Sequence, residues 1–236
     1  MTLRGTRGRR RERRRSGALL VVSGLGELFV TVGLVLLLFC VYQLVWTNVE
    51  ANRRQDAATE RLTDDWRRPH PSIAPQEPLR LGKGFAFLRI PRLGRKFDVP
   101  VIEGVRSQDL SRGVGHYTST ARPGEIGNIG IAGHRATNGE PFRNLDQVRR
   151  GDALVVETAT TWYTYVVDRT RIVQPTDVWV LDPVPGHPRA TPTTQLLTLT
   201  TCNPRWASTQ RLIVFSHLEE TKPKTDGRPA ALRKGH

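Results

Sequence analysis

The chain has 236 residues, of which 38% are hydrophobic and 25% charged, with a formal net charge of +14 and two cysteines. That length supports one well-buried domain with extensions rather than two large domains, and two cysteines exclude a disulfide-stapled scaffold. The charge would suit a nucleic-acid binder only if it were spread over a folded surface. It is not: residues 1–16, MTLRGTRGRRRERRRS, carry eight arginines against the single Glu12, which gives +7, half of the total.

Residues 17–46, GALLVVSGLGELFVTVGLVLLLFCVYQLVW, hold one charge, Glu27. A hydrocarbon core needs about 20 apolar residues in a helix, and the stretch from Leu28 to Trp46 nearly supplies that alone. No small-x-small cleavage site follows, since the sequence runs on as TNVEANRR, so the segment reads as an uncleaved signal anchor. Eight arginines before it outweigh Arg53 and Arg54 after it. The expected location is therefore the cell membrane, single-pass, with residues 1–16 cytoplasmic and the C-terminal bulk outside. An arginine run against the anionic inner leaflet accounts for the charge without nucleic acid.

Residues 47–80 form an extracellular stalk or linker. As far as position 68 it is rich in helix formers and reads either as a continuation of the membrane helix or as a loose stalk. PHPSIAPQEP then breaks any helix and suggests a semi-rigid spacer. At the far end residues 221–236, TKPKTDGRPAALRKGH, have almost no apolar content and read as a disordered tail.

Residues 81–220 have the size of one domain. The apolar runs are short and bounded by Gly, Pro, Asn or Asp: FAFLRIP, FDVPVIEG, IGNIGIAG, DALVVET, TYVVDRTRIV, DVWVLDP, QLLTLTT and RLIVFSHL. Eight such runs predict a mainly β domain, a barrel or a sandwich, with short helical turns at SQDLSRGVG and PFRNLDQV. GNIGIAG has the wrong glycine spacing for a dinucleotide fingerprint.

Cys40 lies inside the apolar segment, so Cys202 is an unpaired thiol in an exported domain, where cysteines usually come in pairs. It ends a β-patterned run in TLTTCNP, while His134 follows a strand in AGHRATNG and Arg211 opens the last strand in QRLIVFSHL. A nearby imidazole and guanidinium would favour the thiolate, which can attack a carbonyl; the His can protonate a leaving amine and the Arg can hold an oxyanion. A core cysteine, a turn histidine and a solvated edge arginine are the competing readings.

The order His, Cys, Arg, with TLTTC leading into the cysteine and an Arg nine positions on, resembles the sortases. The Cys-Asn-Pro continuation, the AGH at the histidine, the VGHY segment at 114–117 and the Arg-rich anchor are most similar to class E sortases of high-GC Gram-positive bacteria (Actinobacteria). The resemblance covers roughly residues 84–218. It implies a closed eight-stranded β-barrel with short helices, behind one transmembrane helix, and a membrane-bound cysteine transpeptidase that needs no cofactor. On this resemblance Cys202 is the nucleophile, His134 the acid and base, and Arg211 the positioning and oxyanion residue. Thr201 would contribute backbone or hydroxyl contacts, Tyr117 would lie near the substrate groove, and His116 would be structural.

In that family a sorting signal is cut between Thr and Gly through a Cys thioester and passed to an amine of a cell-wall precursor; class E is associated with a Leu-Ala-x-Thr-Gly signal. The implied partners are secreted proteins with a C-terminal sorting signal and a lipid-linked peptidoglycan precursor or another amine acceptor. No metal is expected, because Glu140, Asp146, Asp152 and Glu157 lack calcium-loop spacing and His116, His134 and Cys202 lack zinc-ligand spacing. The residues alone leave two other readings open: a cysteine hydrolase that does not transfer, and a membrane-anchored binding module with a structural Cys202.

Overall fold

The computed structural model describes residues 7–68, 78–95 and 97–233. The chain forms two compact units, Met1–Trp46 and Thr47–His236, with helix α1 (Arg7–Arg67) contributing to both. In the first unit Val22–Tyr42 is a predominantly apolar stretch of 21 residues with mean hydropathy 2.3, broken by one charge, Glu27, and all of its side chains are exposed. At 1.5 Å per residue it measures about 31 Å, long enough to cross a hydrocarbon core.

The second unit is a closed eight-stranded barrel. In chain order the strands are β1 (Gly84–Arg89), β2 (Asp98–Glu103), β3 (Val114–His116), β4 (Gly127–Ala132), β5 (Ala153–Glu157), β6 (Thr161–Val173), β7 (Gln195–Asn203) and β8 (Gln210–Pro223). Around the barrel they run β1-β2-β3-β4-β7-β8-β6-β5, and β5 closes on β1. Two neighbouring pairs, β2 with β3 and β4 with β7, are parallel, and the others are antiparallel.

The barrel follows from the period-two patterning of the runs. Leu88, Val101, Val114, Ile129, Ile131, Leu154, Val156, Tyr165, Leu197, Leu199 and Val214 all point into one core and are at most 1% exposed. Opposite them, on the outside of β6 and β8, Val173, Ile213 and Phe215 form a second cluster with Val180, flanked by Trp179 and Leu181. Trp179 stacks on Phe215 with ring centroids 6.1 Å apart. The β6–β7 connection therefore lies over the outer surface of the barrel.

Seven of the eight expected strands form, and DVWVLDP does not. Its apolar residues build a 3₁₀ turn, Val178–Leu181, entered through an Asp177 carboxylate that accepts the Gln174 N–H at 2.7 Å. The eighth strand is β3, in the VGHY segment, where apolar patterning is too short to see. Gly115 makes β3 possible: a Cβ there would lie 2.4 Å from the Gly104 carbonyl oxygen and 2.8 Å from Leu110 Cδ2. Gly115→Ala should cost about 1–3 kcal/mol by forcing that contact apart, read from the urea midpoint. An unchanged midpoint would show that β3 does not need the close approach.

The two expected helical turns appear as α2 (Ser107–Leu110) and a 3₁₀ turn at Leu145–Gln147. Asp109, fully buried, is held by Arg106 and Arg112, both at 2.8 Å. Burial opposes ionisation of its carboxyl, but the two guanidiniums together outweigh it and keep the group below the usual range.

At the edges the structure departs from the expected boundaries. The part of α1 from Thr47 onward is packed rather than loose: Ala51 and Leu62 are buried, and Trp66 meets Phe87 edge-on at 5.2 Å. Positions 69–77 of the expected Pro-rich spacer lie outside the described residues. Strand β8 runs to Pro223, and residues 224–233 continue through two 3₁₀ turns instead of a disordered tail. Lys224 fixes this segment, bonding Glu157 at 2.7 Å with its ammonium 4.1 Å from the Trp66 ring centroid. Positions 234–236 lie outside the described residues.

Candidate active site

Register alone brings the three candidate residues into a row. Strands β4, β7 and β8 are neighbours, and Cys202 and Arg211 are direct partners in the antiparallel β7–β8 ladder. Directly opposed residues share a face of the sheet, so both side chains leave the same side. The parallel β4–β7 ladder pairs Ala132 with Thr200, and Gly133 N–H extends it to the Thr200 carbonyl at 3.1 Å. Two residues further on each chain, His134 comes level with Cys202. Because Ile129, Ile131, Leu197 and Leu199 fill the core, the even-numbered residues of these strands face outward. The row His134–Cys202–Arg211 thus lies across three strands on the outer face of the barrel, at strand ends.

Each member of the row is held in place. Gly133 precedes the histidine because a Cβ there would lie 2.5 Å from Phe142 Cδ2, and the Phe142 N–H donates to the His134 carbonyl at 2.9 Å. Asn138 Nδ2 donates to His134 Nε2 at 3.2 Å, which favours the neutral ring. Cys202 is partly exposed, with its thiol free. Arg211 Nη1 donates to the carbonyls of Ser208 at 2.9 Å and Gln210 at 2.8 Å. Its other nitrogens have no partner among the described residues.

Thr201 points the other way. It is buried, and its hydroxyl donates to the Gly133 carbonyl at 2.7 Å, tying the end of β7 to the segment before His134. Tyr117 packs its ring on Gly130, where a Cβ would lie 2.9 Å from Tyr117 Cδ2, beside Leu181 and Thr120. Gly130 is four residues back from His134 on the same face, roughly 13 Å along the strand. The structure therefore does not bring Tyr117 to the row but places it further along the same surface. His116 is buried, with Nδ1 on Glu103 at 2.6 Å and Nε2 near Thr120 and the Ala121 carbonyl, both at 3.0 Å.

Sequence reasoning missed Arg135. Only 7% exposed, it donates through Nη1 to Asn203 Oδ1 at 2.6 Å and, at 3.4 Å, to the Cys202 carbonyl, while Nη2 pairs with Asp146 at 3.1 Å. It braces the end of β7 through the Cys202 main-chain carbonyl and the Asn203 side chain. The only sequence signal is its place directly after His134, and an arginine beside a loop histidine is not distinctive. The four scattered carboxylates each have their own cation: Glu140 with Arg205 and Arg143, Asp146 with Arg135, Asp152 with Arg92, and Glu157 with Arg89 and Lys224.

Burial holds His134 below its ordinary pKa of 6.5. The native state thus binds fewer protons at this residue than the unfolded chain once the pH drops below 6.5. Its stabilising contribution is complete above pH 6.5 and is lost as pH falls from there through the lower folded-state value. Between pH 7 and 5 the wild type should therefore lose unfolding free energy more steeply than His134→Gln; equal slopes would contradict the burial of the ring.

A thiol, an imidazole and a guanidinium in one row at the open face of a barrel are the parts needed for acyl transfer through a cysteine. The Sortase domain family matches residues 88–219. The chain is 42% identical to sortase SrtE1 of Streptomyces coelicolor over 228 residues, 93% of this chain and 63% of that protein. To sortase SrtE2 of the same organism it is 37% identical over 236 residues, 94% of this chain and 91% of the relative. Among solved structures, sortase E from Streptomyces avermitilis shares 46% identity with a TM-score of 0.60, covering 65% of this chain and 99% of its own. Sortase E1 from S. coelicolor with a tripeptide in its active site shares 42% identity with a TM-score of 0.59, covering 64% of this chain and 97% of its own. The chain belongs to the sortase family of cysteine transpeptidases, and its similarities lie with the actinobacterial class E.

Proposed function

We propose that this protein is a membrane-anchored transpeptidase that cleaves a Leu-Ala-x-Thr-Gly type sorting signal between Thr and Gly and transfers the protein to an amine of a cell-wall precursor. The observation that carries the reading is the His134–Cys202–Arg211 row set by strand register. In the first half-reaction the Cys202 thiol passes its proton to His134 as the sulfur adds to the threonyl carbonyl carbon, and the oxyanion faces Arg211. As the intermediate collapses the C–N bond breaks and His134 gives its proton to the departing glycyl amine, leaving a thioester. In the second, an incoming amine adds to the thioester, His134 accepts its proton, and that proton returns to the sulfur as the C–S bond breaks.

Tyr117, further along the same face, would meet signal residues on the N-terminal side of the threonine. Thr201 would act through its backbone, because its hydroxyl is committed to Gly133. The apolar stretch Val22–Tyr42 would hold the enzyme in the membrane with residues 1–16 inside, where secreted substrates and a lipid-linked peptidoglycan precursor meet outside. The test is incubation of the detergent-solubilised full chain with the signal peptide, with and without a small primary amine. The proposal expects an amine-capped product ending in Thr whose yield rises with amine. Cleavage with the same hydrolysed product at every amine concentration would make the protein a hydrolase.

A further inference from the structure

The turn after His134 is an unusual piece of backbone. Asn138, Gly139 and Glu140 are consecutive residues with φ of 52°, 77° and 48°, all in the left-handed region, and two of the three are not glycine. Such conformations persist only where the surroundings over-determine them. Here the surroundings include the part of α1 just after Thr47. Asn48 accepts the Gly139 N–H on Oδ1 at 3.4 Å and donates from Nδ2 to Glu140 Oε1 at 3.3 Å. A methyl on Gly139 would sit 3.1 Å from Asn52 Oδ1, 3.7 Å from Ala51 Cβ and 3.8 Å from Gln55 Oε1. Positions 48, 51, 52 and 55 are spaced i, i+3, i+4 and i+7 and so form one helix face.

This turn connects to both reacting groups. Asn138 donates to His134 Nε2, and the Glu140 carboxylate, next in the turn, pairs with Arg205 Nη2 at 2.5 Å in the loop that follows Cys202. Among the described residues Arg54, on the same helix, bonds only Glu50 of that helix. We propose that Asn48 is a positioning residue of the active site: through the 138–140 turn it fixes His134, and through Glu140 and Arg205 it fixes the loop beyond Cys202. The helix segment after Thr47 is then part of the working enzyme as well as a tether. The inference rests on His134 and Cys202 being the reacting groups, and it adds a residue outside the barrel to their support.

The test uses the full-length protein in detergent and steady-state transfer from signal peptide to amine. Asn48→Ala, which keeps helix propensity, should lower kcat about tenfold, the scale of a small misplacement of a reacting group, with KM within about twofold. Asn48→Asp sets a carboxylate against Glu140 and should lose at least as much. Asn48→Asp with Glu140→Gln lets the amide nitrogen donate to the new carboxylate while the amide oxygen still accepts from Arg205, and should recover part of that loss, which general destabilisation of the helix would not allow. Arg54→Ala should match the wild type. Wild-type-like kcat in Asn48→Ala, or no recovery in the double variant, overturns the role of Asn48 while wild-type turnover still stands; absence of turnover in the wild type itself removes the transpeptidase reading first.

Discussion

Cys202→Ala should yield a folded protein that forms no thioester and has lost on the order of 10⁴–10⁶ in turnover, the range seen when a covalent nucleophile is removed. The two halves of this expectation have separate causes. Stability should change little, because the thiol sits partly exposed at a strand end and the ladder around it is backbone. Thr201 on its hydroxyl bond to Gly133, and Arg135 on the Cys202 carbonyl and Asn203, would still hold the strand. Activity should vanish because no other nucleophile stands in the row. The other thiol, Cys40, lies in the apolar stretch Val22–Tyr42. Residual turnover within about tenfold of wild type would mean that another group does the chemistry.

Arg211→Ala should cost on the order of 10²–10³ in kcat, the usual effect of losing an oxyanion donor. The guanidinium is preorganised to receive that charge, since Nη1 is tethered to the Ser208 and Gln210 carbonyls and the rest of the fork is left on the same face as Cys202. Arg211→Lys separates charge from geometry. One ammonium cannot hold two carbonyls and also point at the substrate as a planar fork does, so the lysine variant should stay within about tenfold of the alanine variant. Near-normal turnover of Arg211→Ala would take the role away from this residue.

Much of the barrel was legible because one-sided burial writes itself as period-two patterning: Leu197, Leu199 and Thr201 inward against Thr198, Thr200 and Cys202 outward is a single strand read twice. The patterning misled at DVWVLDP, where Val180, Trp179 and Leu181 are apolar because they cover the outside of β8. It was silent at β3, a three-residue strand whose fit depends on the missing side chain of Gly115. Low apolar content also misread the C-terminal segment, which is fixed by the charge and ring contacts of Lys224.

In the site, types and order pointed to His134, Cys202 and Arg211, but adjacency needed the strand order β4-β7-β8, which no local pattern encodes. The supports were harder still to see. Arg135 and the Asn48–Glu140–Arg205 chain join residues far apart in sequence through polar contacts, and polar residues on a helix next to a long apolar stretch look like solvated surface until the turn they hold is visible.

The most direct measurement is the intact mass of the full-length protein after brief reaction with a Leu-Ala-x-Thr-Gly peptide without amine, quenched in acid. The account predicts a mass gain equal to the acyl portion through Thr, mapped to Cys202 and absent from Cys202→Ala. Peptide cleaved at Thr with the acyl group on another residue, or no adduct and no cleavage beside a Cys202 that resists alkylation in the folded protein, would contradict it.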